Sequence, residues 1–180
     1  KMREEADRVP LAEEDISRLI LGTECGGSDP TSGLVSNPVV GKCSDLIIKE
    51  GGTVILSETP ELIGAEQILA SRCRNEETAE KLLKTIKAFE EDFLRVGENP
   101  RSGNPTPGNI AGGITTLEEK SLGCIHKAGS SIIQEVVEYG EPINENGLIV
   151  MDTPGQDVAS IVGMAAARAQ MVVVTIGHGT

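Results

Sequence analysis

The sequence predicts an α/β fold, a mainly parallel sheet with helices on both faces, and three observations lead there. Four short apolar runs, Leu19-Ile20-Leu21, Thr53-Val54-Ile55-Leu56-Ser57, Gly147-Leu148-Ile149-Val150-Met151 and Met171-Val172-Val173-Val174-Thr175-Ile176, are separated by segments with helical spacing. The runs are continuous rather than alternating, as in strands covered on both faces. Aromatic residues are scarce, one Tyr, two Phe and no Trp, so the core is aliphatic and lets helices lie close on a sheet. Strands alternating with helices give βαβ units, and the expected sheet is Rossmann-like.

Taken in order, residues 1–18 are charged, carry Pro10, and read as a linker or short helix ahead of an α/β domain spanning 19–180. The first strand is expected at about 18–23. It runs into Gly22-Thr23-Glu24-Cys25-Gly26-Gly27-Ser28-Asp29, where glycines let the backbone bend and let a ligand approach the amides. Helical spacing follows from Leu34 to Ile48, broken near Pro38 and Gly41, and Gly51-Gly52 closes it. The second strand, 53–57, leads into Glu58-Thr59-Pro60-Glu61 and a helix over about 61–73. Asn75 reads as the N-cap of a long helix over 75–96, with Ala79, Leu82, Leu83, Ile86, Phe89 and Phe93 on one face. Residues 97–113, dense in Gly, Pro and Asn, read as a loop whose length points to function or to a stiff linker. Thr116 and Glu119 have capping-box spacing at the next helix start. A helical stretch is expected over about 130–139, then the strand at 147–151, a helix over 157–169 rich in small residues, and the strand at 171–176.

Composition excludes several classes. A net charge of −12 argues against nucleic acid and anionic membrane as partners. No apolar run approaches the roughly 20 residues of a membrane span, and no signal peptide is visible, so the expected location is cytoplasmic. The four cysteines, at 25, 43, 73 and 124, form no CxxC pair and argue for reduced thiols rather than a disulfide scaffold. Cys43 and Cys73 fall in helical segments and read as packing residues. The chain starts at Lys1 and closes on the loop-like Gly177-His178-Gly179-Thr180, the expectation for a fragment of a longer protein.

Right-handed crossovers bring the carboxyl ends of parallel strands to one edge, where ligands of such sheets bind. That edge carries Glu24, Cys25, Ser28 and Asp29, then Glu58 and Glu61, Asp152 and Asp157, and His178. Thiol, imidazole and carboxylate together suit Fe(II), Mn(II) or Zn(II), although no HxxxH or CxxC spacing fixes the ligands. The plainer readings are that Ser28 or Asp29 caps a turn, that Glu58 and Asp152 cap the helices after them, and that His126, beside Lys127, is a surface or packing residue.

The segments Thr23 to Asp29, Gly51-Gly52-Thr53 to Glu61, Gly64-Ala65-Glu66, Asn104-Pro105 to Asn109, Gly113 to Thr116 with Glu119 to Gly123, Met151 to Gly155, and Thr175 to Thr180 resemble, in order, the motifs of the altronate and galactarate dehydratases. Large subunits of sulfolactate sulfo-lyase are related. The resemblance implies a lyase that removes water from a hydroxylated sugar acid with Fe(II) or Mn(II), together with a small N-terminal domain or small subunit. A homo-oligomer is a further expected partner. His178 stands where that family commonly has Arg. The roles this implies are catalytic for Lys120, as base or charge stabiliser, and for Glu58, Asp152 and His178. Gly26, Gly27, Ser28, Asn109 and Thr116 are then substrate-binding, with Cys25 and Glu24 on the metal. The competing readings are a sulfo-lyase acting on sulfolactate and a non-catalytic small-molecule-binding α/β domain. The first loop lacks the GxGxxG pattern that would favour a nucleotide.

Overall fold

In the computed structural model, which describes residues 1–178, the chain runs α1 (Met2–Ala6), β1 (Ile20–Cys25), α2 (Asn37–Lys49), β2 (Thr53–Leu56), α3 (Glu66–Ala70), α4 (Glu76–Arg95), α5 (Pro100–Gly103), α6 (Pro107–Ala111), α7 (Leu117–Cys124), β3 (Ile133–Val137), β4 (Gly147–Met151), α8 (Asp157–Ala166) and β5 (Met171–Thr175). All strand pairs are parallel, and the sheet order is β3-β4-β2-β1-β5. The α/β class and the parallel sheet are therefore as the sequence predicts.

The continuous apolar strands are explained by two cores. Val54, Leu56, Leu148 and Val150 face one side with residues of α3, α4 and α7. Ile55, Ile149 and Met151 face the other, against Met164 and Ala167 at α8. Gly22 sits under α8 so closely that a Cβ there would lie 2.6 Å from the Met164 sulfur, which is why β1 carries glycine at that register. On the opposite face a Cβ at Gly41 would lie 2.0 Å from the His126 carbonyl, so α2 closes directly on the 3₁₀ turn at 125–128. Asn75 caps α4 as expected, its side-chain oxygen accepting from the Thr78 amide at 2.8 Å. Among the described residues no helix is long and apolar enough to cross a membrane.

Several expected elements differ, each for a local reason. The first strand begins and ends two residues later than expected, so Glu24 and Cys25 lie on the strand and not in the loop after it. Pro38 starts α2 rather than interrupting it, after a π turn over Ser32–Ser36. The helix expected over 61–73 is split into a 3₁₀ turn, Thr59–Leu62, and α3, with Gly64 between them at φ 88°. The Gly/Pro-rich stretch 97–113 is not structureless, since it folds into α5 and α6. The helix expected over 130–139 is the strand β3. Its register shifts between Ile133 and Glu135, so Ile133 and Val136 both reach the same core. That bulge gives a strand the three-residue apolar spacing of a helix. Cys43 is exposed on α2 rather than packed, whereas Cys73 is half-buried against the core.

Candidate active site

The connection from β1 to β2 passes through α2 on one face, and that from β4 to β5 passes through α8 on the other. The carboxyl ends of the neighbouring strands β1 and β5 therefore flank a crevice between opposed crossovers, where open parallel sheets bind ligands. A cavity of about 510 Å³ occupies this position. Its walls come from the ends of all these strands, Cys25-Gly26-Gly27 after β1, Glu58 and Glu61 after β2, Gly155 and Asp157 after β4 and His178 after β5, with Thr106, Asn109 and Lys120 folding over from α6 and α7.

Because Glu24 and Cys25 are consecutive on a strand, they point to opposite faces of the sheet. Cys25 points towards α7 and the turn after it. Its sulfur lies 2.7 Å from Lys127 Nζ and 3.7 Å from the Cys124 sulfur. Lys127 Nζ also donates to Glu58 Oε2 at 2.5 Å, and the same carboxylate oxygen accepts the Cys25 backbone N–H at 2.8 Å. Glu58 reaches this position from a left-handed backbone at φ 67° and ψ 66°, rare for a residue with a side chain and a mark of local strain. The turn is held from behind, where the Glu58 amide donates to Thr153 Oγ1 at 2.6 Å. Lys127 and Glu58 are 0% and 2% exposed at their side chains, so their contact lies wholly inside the protein.

One buried cation cannot balance two buried anions without cost, and the groups divide accordingly. The Cys124 thiol, and then Lys127, hold the Cys25 thiol well below its ordinary range against the opposing effect of burial. Burial pushes Glu58 well above the usual carboxylate range, although Lys127 pulls the other way. Burial works against the Lys127 ammonium, but Cys124, Cys25 and Glu58 outweigh it and its pKa lies well above the ordinary value. The shifts favour the thiolate form of Cys25 beside the Lys127 ammonium and the protonated form of the Glu58 carboxyl.

On the opposite face Glu24 is fully buried beneath α8. Its Oε2 accepts from Ser160 at 2.6 Å and from Ser57 at 2.9 Å, while its Oε1 has no partner. Burial is the main reason its pKa is raised. Thr153 Oγ1 lies 3.1 Å from the Ser160 hydroxyl, which joins this network to the Glu58 turn.

The cavity's other wall carries a second ion pair. Lys120 Nζ lies 2.9 Å from Glu61 and donates to Asn104 Oδ1 at 2.8 Å, and the side chains of Lys120 and Glu61 are 9% and 5% exposed. Burial raises the Glu61 pKa and Lys120 draws it back. Asn109, at the third position of α6, accepts from Thr106 and donates to the Ser28 carbonyl at 2.9 Å, tying the 104–111 segment to the glycine loop. His178 is exposed at the rim, near Asp29, whose carboxylate is held below its usual range chiefly by the Thr31 hydroxyl. Gly179 and Thr180 of the last motif lie outside the described residues.

The residues singled out from the sequence divide as follows. Cys25, Gly26, Gly27, Glu58, Asn109, Lys120 and His178 line the one cavity. The Gly26 amide donates to the Thr175 carbonyl and is not available to a substrate carboxylate. Ser28 borders an adjoining cavity of about 280 Å³ instead. Asp152 is outside the lining and accepts from Thr59 Oγ1 at 2.5 Å, a contact between strand ends. Thr116 is the exposed N-cap of α7, its hydroxyl accepting from the Glu119 amide at 3.1 Å. Glu24 does not join Cys25: the alternation of the strand separates them. Lys127 and Cys124 were missed. The signal was a lysine flanked by buried Ile125 and Ala128 in the turn Ile125-His126-Lys127-Ala128, three residues after a cysteine.

Among the described residues, Cys25, Glu58 and Cys124 bring three donor atoms within 4.8 Å of one another, the right types for Fe(II) or Mn(II) or a softer ion. The place of the cation is nevertheless taken. Lys127 Nζ makes hydrogen bonds to two of the three donors, and a divalent ion among them would meet an ammonium at close range. As folded, this cluster does not fit a divalent metal.

Comparison with known proteins places these features in a lineage. The chain is 47% identical over 165 residues to altronate dehydratase of Escherichia coli (strain K12), covering 92% of this chain and 33% of that protein. It is 40% identical over 164 residues to galactarate dehydratase (L-threo-forming) of the same organism, covering 91% and 31%. It is 37% identical over 155 residues to (2R)-sulfolactate sulfo-lyase subunit beta of Chromohalobacter salexigens, covering 85% and 40%. The chain thus spans about a third of the length of the dehydratases it matches. Residues 16–180 match the family described as D-galactarate/Altronate dehydratase, C-terminal, and the chain belongs to that family.

Proposed function

We propose that this chain supplies the acid–base site of a sugar-acid dehydratase, acting on altronate, galactarate or a close relative. The observation that carries the reading is the cavity at the carboxyl edge of the sheet, where the buried Cys25–Lys127–Glu58 cluster and the Lys120–Glu61 ion pair border one space.

Dehydration of a 2,3-dihydroxy acid removes the proton α to the carboxylate and expels the β-hydroxyl. The resulting enol rearranges to a 2-keto-3-deoxy acid. The α-proton is weakly acidic, so charge must be stabilised where it develops. Lys120 supplies that charge and binds the substrate carboxylate, with Glu61 and Asn104 holding its Nζ in place. Cys25 accepts the α-proton, kept as a thiolate by Cys124 and Lys127. Glu58, which keeps its own proton through burial, donates it to the departing hydroxyl. His178 and Asp157, at the mouth of the cavity, contact the polyol tail, and a histidine in place of a more extended arginine fits a different tail. No step is routed through Fe(II) or Mn(II) at the thiol–carboxylate cluster, where Lys127 already supplies the cation.

The test is to give full-length protein altronate, galactarate and sulfolactate and to measure 2-keto acid and sulfite release. Formation of 2-keto-3-deoxy acid, with exchange of the substrate α-proton in deuterated solvent, supports the proposal. Sulfite release from sulfolactate alone would replace it with the sulfo-lyase reading, which the relationship to the sulfo-lyase subunit favours. No turnover of any of these acids would refute both.

A further inference from the structure

The Cys25–Cys124 pair has a property that dehydration does not use. The two sulfurs are 3.7 Å apart, and each borders a different cavity, Cys25 the one of about 510 Å³ and Cys124 the adjoining one of about 280 Å³. The thiol pair is therefore a partition between two solvent-sized spaces, reachable by a small polar oxidant although both residues are buried. Lys127 sits on one sulfur only. Its Nζ is 2.7 Å from Cys25 Sγ, which marks Cys25 as the nucleophile and leaves Cys124 as the thiol that follows. The remaining cysteines provide no such arrangement. Cys43 is exposed with no thiol beside it, and Cys73 is turned onto the Leu69 carbonyl at 3.6 Å.

We infer that Cys25 and Cys124 form a peroxide-sensitive modification site, in which hydrogen peroxide converts the pair to a disulfide across the cavity wall. The Cys25 thiolate attacks one peroxide oxygen, and the O–O bond breaks to give Cys25 sulfenic acid and hydroxide. The Cys124 sulfur then attacks the sulfenic sulfur. An S–S bond forms, the S–O bond breaks, and the thiol proton leaves with the hydroxyl as water. Two electrons pass from the two thiols to one peroxide. Closing the sulfurs from 3.7 Å to the ~2.05 Å of a disulfide needs a shift that side-chain rotation can share between both residues. Ile125 and Ala128 pack the segment around Cys124, and Glu58 keeps Lys127 in place once its thiolate partner is gone.

The bond itself does not depend on the proposed function, while the loss of turnover it would cause does, since Cys25 is the base in that reading. The experiment treats full-length protein with equimolar hydrogen peroxide, blocks free thiols by alkylation and maps peptides by mass spectrometry. The expected result is a cross-linked Cys25–Cys124 peptide pair lighter by two hydrogens, loss of alkylation at both residues, and retained alkylation at exposed Cys43. Dithiothreitol reverses the change. Oxidation of Cys43 ahead of Cys25, or Cys25 passing to sulfinic acid with no cross-link, overturns the inference. Cys124→Ser is the second arm, and there the Cys25 sulfenic acid has no resolving thiol and is captured by dimedone. If that variant does not fold, the wild-type peptide map decides alone. A cross-linked protein that was never active on sugar acids would refute the function and keep this site. An active enzyme without the cross-link would do the reverse.

Discussion

Replacing Lys127 with methionine removes the ammonium from the centre of the buried cluster while keeping the length and apolar stem of the side chain. In the native protein Nζ satisfies Cys25 Sγ at 2.7 Å and Glu58 Oε2 at 2.5 Å, and among the described residues nothing else cationic is bonded to either. Breaking a buried pair by deleting one partner costs about 3–5 kcal/mol, since a charge is left without compensation. Here the charge has an escape, because Cys25 can take up a proton, so the lower end applies. A loss of about 3 kcal/mol moves the folding equilibrium by roughly two decades. Urea unfolding measures it as a fall in midpoint at unchanged slope. The pH dependence fixes the sign. Cys25 has a folded-state pKa held below its ordinary 9.0, so its contribution is complete above 9.0 and is lost as pH falls through the folded value. Lys127 is shifted upwards from 10.5, so its contribution is complete below 10.5 and is lost as pH rises through the folded value. In Lys127→Met the thiolate absorbance of Cys25 should appear at higher pH than in the wild type. The double variant with Cys25→Ala should recover part of the lost stability, a coupling of about 0.5–3 kcal/mol. An unfolding midpoint for Lys127→Met close to the wild-type value, with the thiolate titration unmoved, would refute the pairing.

Three further outcomes follow from the same geometry. Lys120→Met should lower kcat by about 10²–10⁴-fold with a smaller change in KM, because a charge that stabilises the enolate acts in the transition state, and a retained kcat in the steady-state assay would remove Lys120 from the chemistry. Cys25→Ser should abolish most turnover while Cys43→Ser, on the exposed face of α2, leaves it unchanged, and equal activity in the two variants would deny Cys25 a special role. Ser160→Ala removes the 2.6 Å donor to buried Glu24 and should cost about 1–3 kcal/mol in urea unfolding, with a value near zero showing that the network beneath α8 is not a determinant of stability.

What could be read from the residues was set by how far each signal is local. Val54 to Leu56 and Leu148 to Met151 declare themselves because both faces of a parallel strand are covered, so no polar residue interrupts them. β3 does not, because the shift between Ile133 and Glu135 puts Ile133 and Val136 on one face and mimics a helical turn. The convergence of Cys25, Glu58 and His178 was legible because strand order and the hand of crossovers bring strand ends together whatever the exact register, although Asp152, expected with them, lies outside the cavity and Lys120 reaches it from α7.

Register decides what convergence alone leaves open. Moving the end of β1 by two residues takes Glu24 and Cys25 from a loop, where both could turn to one ligand, onto a strand, where they cannot. Glu24 then belongs to Ser57 and Ser160 under α8, and the place beside Cys25 falls to residues 99 and 102 positions further along the chain. Cys124 and Lys127 come from the end of α7 and the turn that α2 presses against the sheet at Gly41, a packing contact with no signature in local sequence. The consequence reaches the chemistry. With Glu24 beside Cys25 the site would be an acidic cluster that demanded a metal to hold it together. With Lys127 there instead, the thiol and the carboxyl share a cation that the protein carries itself.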